Sequence, residues 1–152
     1  MEEISKIIVD RLKAMYNIAL NHINKEEYFA AEKIFADINT LCQNFHYDGG
    51  VYMANRSLAN LLLMQNRNVE AFYAMDIAYK KCDVKEDGAQ LLIYLKKLSL
   101  EVLKVSLDFQ KQGALSAALD GYNAILPYLG EKRKTIVAKE IVFLKKRLKN
   151  EH

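Results

Sequence analysis

The fold is decided by Ser106 to Pro127, SLDFQKQGALSAALDGYNAILP, in which a helical hairpin can be read residue by residue. Gly113 stands between two segments whose apolar residues recur at helical spacing, so it marks the turn. After the turn, Ala118 is followed by Tyr122 four positions later and by Ile125 three beyond that. Before the turn, Ser106 lies twelve positions upstream of Ala118, preceded by the aliphatic Val105. Small residues at two such points let paired helices approach closely, and the large ones fill the gap to the next layer.

Working outward, the same constellation recurs twice. Ala31 is followed by Phe35 and Ile38 and preceded by Ile18-Ala19; Ala71 is followed by Met75 and Ala78 and preceded by Leu58-Ala59. Stacked hairpins bury a continuous core only if each presents a similar face to its neighbour, which is the physical reason for a repeat. On these residues the chain resembles the tetratricopeptide repeat family. Supporting residues are Tyr28 in the first unit, Leu62 and Val69 in the second, and Phe109, Gly113, Leu115 and Pro127 in the third. The alanines are 40 and 47 positions apart, against about 34 in the family. No tryptophan opens a unit, and Met15, Asn55 and Val102 stand where large residues are common. The resemblance is therefore to a long-helix variant, with the surplus placed before the first helix of each unit as extra turns or longer loops. An unrelated helical bundle is the alternative.

The expected fold is all-α, a single domain over 1–152. It has three antiparallel hairpins (about 3–45, 46–83 and 84–129) and a closing helix at 131–150, wound by resemblance into a right-handed superhelix. Helices are expected from Ile4 to about Asn24, from Glu26 to Cys42, and up to Asn66 after a turn at His46-Tyr47-Asp48-Gly49-Gly50. Further helices are expected at Asn68 to Lys81, beyond an Asp83 to Gly88 break, at Leu115 to Pro127, and at Lys132 to Asn150. The fifth, with Leu91, Leu95, Leu98, Leu100, Val102, Leu103, Leu107 and Phe109, is apolar around most of its circumference and should be buried on more than one side.

One proline and six glycines in 152 residues disfavour an all-β fold. The start, Met1 to Lys6, lacks the apolar core of a secretory leader, and no stretch approaches the roughly 18 apolar residues of a membrane helix. A cytoplasmic protein is expected, without a membrane partner. Cys42 and Cys82 fall at equivalent repeat positions, too distant to bridge, and read as packed thiols. His22, His46 and His152 share no ligand spacing, and Tyr47-Asp48-Gly49-Gly50 lacks the lysine of a phosphate loop. Cys42 and His46 could face each other, but nothing nearby would orient the base. No enzyme, metal or cofactor is expected.

In the family, the first helix of each hairpin lines a concave groove that binds extended peptides or partner helices. The resemblance places Tyr16, Asn17, Leu20, Arg56, Asn60, Leu63, Leu103, Lys104 and Leu107 there. Asparagines can pair with a peptide backbone, Arg56 and Lys104 attract carboxylates, and the apolar members cover apolar side chains. The clamp that holds acidic chaperone tails has Tyr16, Leu20, Ser57, Leu100 and Lys104 at its matching positions, and only Lys104 fits. A protein or peptide-binding module is the expected function. Alternatives are a self-associating scaffold, a small chaperone like those of type III secretion, or a regulator like the peptide-pheromone sensors, whose units are near forty residues. The segment Glu131 to His152 carries eight Lys or Arg against three Glu; it is expected to cap the array, with nucleic-acid binding a lesser alternative.

Overall fold

A computed structural model describes residues 5–150, so Ile4, the start of the first unit and His152 lie outside the described residues. Among these residues the structure is all-α: α1 (Lys6–Asn24), α2 (Tyr28–Asn44), α3 (Asp48–Met64), α4 (Asn68–Lys81), α5 (Lys85–Lys111), α6 (Leu115–Ile125), a 3-10 turn (Leu126–Tyr128) and α7 (Glu131–Asn150). They fall into two compact units, divided between Leu91 and Leu92.

In the first unit each helix packs on its chain neighbour, α1 on α2, α2 on α3 and α3 on α4. The three turns are built alike. Glu26, His46 and Asn66 each adopt the left-handed conformation, with φ of 59°, 54° and 57°. Each is followed by a residue whose N–H donates to the carbonyl five positions back: Glu27 to His22, Tyr47 to Cys42 and Arg67 to Leu62, at 2.8, 2.8 and 3.0 Å. This satisfies the orphan carbonyls of the ending helix. The same three residues then accept from Ala31, Val51 and Ala71, starting the next helix with no residue to spare. The turns therefore recur every twenty residues, which sets the 40-residue distance from Ala31 to Ala71. The surplus over the family unit lies in helix length, not in loops. The larger step to Ala118 accompanies α5, which has 27 residues.

Gly49 and Gly50, expected in a turn, lie inside the first turn of α3, and Gly88 lies inside α5. The reason at Gly50 is packing: a Cβ there would overlap the Cys42 sulfur. Gly50 lets the start of α3 close onto α2. Deeper in the same interface Asn55, buried, donates through Nδ2 to Asn39 Oδ1 at 2.8 Å and to the Val51 carbonyl at 2.9 Å. That explains a polar residue where a large apolar one was expected.

The second unit contains α5 from Leu92, α6, the 3-10 turn and α7. Gly113 (φ 82°) occupies the position that Glu26, His46 and Asn66 hold in the first unit, and the Ala114 N–H donates to the Phe109 carbonyl at 2.8 Å. Ser106 donates to the Val102 carbonyl and faces Gly121, where a Cβ would strike the serine oxygen. Tyr122 OH donates to Gln110 Oε1 at 2.6 Å, and Gln110 Nε2 donates to Glu140 Oε2 at 3.0 Å, so one glutamine ties α5 to both α6 and α7. Burial, with the Glu140 charge second, raises the Tyr122 pKa and keeps the phenol a donor.

The small and large positions of the repeat are buried, whereas of the aliphatic residues before the small ones Ile18 is exposed and Leu58 and Val105 are half-buried. Ala31, Ala71 and Ala118 are 0% exposed, and Phe35, Met75, Tyr122, Ile38, Ala78, Ile125, Ala19, Ala59 and Ser106 are all buried. The expectation for α5 needs correction. Leu91, Leu95, Leu98, Ser99, Val102 and Ser106 are buried along one face, whereas Ile93, Leu100 and Leu107 are exposed on the other. The helix is long enough to carry two apolar stripes, and only one is covered.

Candidate functional site

The first unit contains a furrow between α1 and α3, floored by α2. Its larger part is a cavity of about 380 Å³ lined by Val9, Leu12, Lys13, Tyr16 and Asn17 of α1, Ile38 of α2, Tyr47, and Gly50, Met53 and Ala54 of α3. A smaller one, about 160 Å³, is lined by Tyr16, Leu20, Ile23, Phe35, Ser57, Asn60, Leu61 and Met64. Both touch Tyr16, whose ring meets Phe35 at 6.0 Å between centroids, tilted by 57°.

The geometry follows from chain order. Helices α1 and α3 run the same way because α2 returns between them, and each packs on α2. The furrow lies between them, with Ile38 and Phe35 of α2 at its floor. From Val9 to Ile23 the furrow follows α1 for about 21 Å, at the helical rise of about 1.5 Å per residue. That matches roughly six residues of extended chain.

Apolar surface dominates the furrow, and much of it is open to solvent: Met53 and Met64 are 45% and 61% exposed. Methionines adapt to irregular apolar partners. Asn17 and Asn60 are exposed on the rim, each with an amide that can both donate to and accept from a peptide backbone. Lys13 supplies the positive charge in the lining.

Of the residues expected in a groove, the furrow collects Tyr16, Asn17, Leu20 and Asn60. Leu63 is half-buried on α3 and lines neither cavity. Arg56 is committed elsewhere: its guanidinium donates to Tyr52 OH, stands 3.7 Å from Asp87 Oδ2 and lies over the Tyr52 ring. Tyr52 in turn donates to Asp87 at 3.4 Å. The hydrogen bond with Tyr52 is the main cause raising the Arg56 pKa, and burial is the main cause raising that of Tyr52. Arg56 is thus already paired with a carboxylate. Leu103, Lys104 and Leu107 belong to α5 in the second unit, with Lys104 and Leu107 exposed and Leu103 half-buried.

Sequence reasoning missed Val9, Lys13, Ile23, Met53 and Met64. Their signal was present as a second helical stripe on α1 (Val9, Leu12, Lys13, Tyr16) and as methionines on α3 off the buried face.

Cys42 is buried and its pKa is raised by desolvation, while His46 is exposed in its turn. Cys82 Sγ donates to the Val84 carbonyl at 3.3 Å. Among the described residues no cluster of His, Cys, Asp or Glu could hold a metal, and no helix is long and apolar enough to cross a membrane.

No protein-family model and no curated protein matches the sequence. Among solved structures, the type III secretion translocator chaperone SycD of Yersinia enterocolitica is similar over 99% of this chain and 90% of its own, with 19% identity and a TM-score of 0.44.

Proposed function

We propose that the protein is a peptide-binding module that holds an apolar stretch of another polypeptide in the furrow between α1 and α3. The observation that carries this reading is the pair of adjoining cavities that share Tyr16 and are walled by exposed methionines. Exposed apolar side chains lining a concavity gain about 1.5–3 kcal/mol each when fully covered. The rim asparagines favour an extended backbone, and Lys13 favours an acidic residue near the Val9 end. Selection from a random peptide display library tests it: recovered sequences should be apolar with a carboxylate at one end. Met53→Lys and Asn60→Ala should weaken the selected peptides at least about tenfold, the loss of one good contact. Peptides that bind these variants and the parent equally would overturn the reading.

A second reading, self-association, is favoured by the exposed stripe Ile93, Leu100 and Leu107 on α5. These residues recur every seven positions, as in a helix that pairs with another. Light scattering tests it directly. A strict monomer at tens of micromolar, unchanged by Leu100→Lys, would exclude it.

A further inference from the structure

Helix α7 has two faces of different chemistry. Val137, Ile141 and Leu144 bury one face, and Glu140 is drawn inward by its bond to Gln110. On the opposite side Lys132, Ile136, Lys139, Phe143 and Lys146 recur at i, i+4, i+7, i+11 and i+14, all exposed. Ile136 is 59% exposed and Phe143 51%, with Val142 beside them. The helix holds eight Lys or Arg and two Glu, whereas the whole chain carries only +3.

A capping helix needs one apolar face and a polar one. Cations alone would make the outward side soluble, so the isoleucine raised among them is unexplained by capping, and Phe143, although the Arg147 guanidinium lies 5.9 Å over its ring, stays half-exposed beside it. We propose that the outward face of α7 binds the surface of an anionic lipid bilayer. Ile136 and Phe143 would enter the acyl boundary while the lysines reach the headgroup phosphates, their methylene stems lying along the apolar residues. Charge complementarity and these exposed apolar side chains favour lipid over nucleic acid. A nucleic-acid site would need cations with stacking aromatics, and Phe143 is the one aromatic of this helix. The face is a single convex helix, suited to a flat partner. This inference lies wholly in the second unit and does not depend on the furrow.

Sedimentation with vesicles tests it, using phosphatidylcholine alone and phosphatidylcholine with about one-third phosphatidylglycerol. The full chain should bind the anionic vesicles and not the neutral ones, and binding should weaken with added salt. Each lysine near such a surface contributes about 1 kcal/mol, so the triple change Lys132→Glu, Lys139→Glu and Lys146→Glu should lower affinity at least about a hundredfold. The double change Ile136→Ser and Phe143→Ser, which keeps every charge, should lower it at least about tenfold. All five side chains are exposed, so the circular dichroism of both variants should match the parent. Three results would overturn the proposal: equal binding to neutral vesicles, no loss in the serine variant, or binding to a single-stranded oligonucleotide with none to anionic vesicles.

Discussion

Gly50, at the start of α3, presses so closely on Cys42 of α2 that any side chain at position 50 would have to displace the cysteine sulfur. Cys42 is fully buried, so moving its sulfur means displacing the packed side chains around it. Gly50→Ala should therefore cost about 1–3 kcal/mol as an overpacking change. Adding Cys42→Ala should recover much of it, because the sulfur is the atom in conflict. Urea denaturation of the two single variants and the double variant measures the coupling.

The left-handed turn residues Glu26 and His46 carry side chains in a conformation that costs an L-residue about 1–2 kcal/mol. Glycine relieves that cost but loses more chain entropy on folding, so Glu26→Gly or His46→Gly should stabilise by a net ~0.5 kcal/mol. Gly113→Ala should destabilise by about 1 kcal/mol for the converse reason. Thermal melts of the three variants should show opposite signs for the two kinds of change.

Arg67 joins neighbouring elements by donating to Glu32 of α2 and, through two nitrogens, to Glu70 of α4. Hydrogen bonding to Arg67 is the main cause that lowers the Glu70 pKa. A carboxylate with a depressed folded-state pKa stabilises the fold at pH values above its unfolded pKa. That contribution is lost as pH falls through the lower, folded value. Stability should accordingly decline in acid, and Arg67→Ala should flatten this decline while costing about 1 kcal/mol near neutral pH. Urea midpoints across the acid range check it.

Ala71 and Ala118 sit where helices nearly touch, with no exposed surface. Ala118→Lys should destabilise by about 3 kcal/mol or more, since it adds both volume and an unpaired charge. Exposed Ala114→Lys serves as the control, with a melting temperature near that of the parent.

Sequence alone determined the helical class, the helix count and the register of the alanines, because burial in packed helices imposes a period that apolar and small residues must obey. The Gly113 turn was equally legible. The turns at Glu26, His46 and Asn66 were not read as one device: Asn and His favour the left-handed region more than most side chains but Glu does not, so the three share no residue type. Gly50 was assigned to a turn because a glycine demanded by a close approach looks the same in sequence as one demanded by a turn. For the candidate site, the repeat resemblance named Tyr16, Asn17, Leu20 and Asn60, and these four line the furrow. Only the tertiary structure decided that Met53 and Met64 open onto the same furrow, that Arg56 is held by Tyr52 and Asp87, that α5 leaves a second apolar stripe uncovered, and that α7 exposes Ile136 and Phe143 among its outward lysines. Periodicity reveals which residues share a face; which faces find a partner depends on what the rest of the chain brings against them.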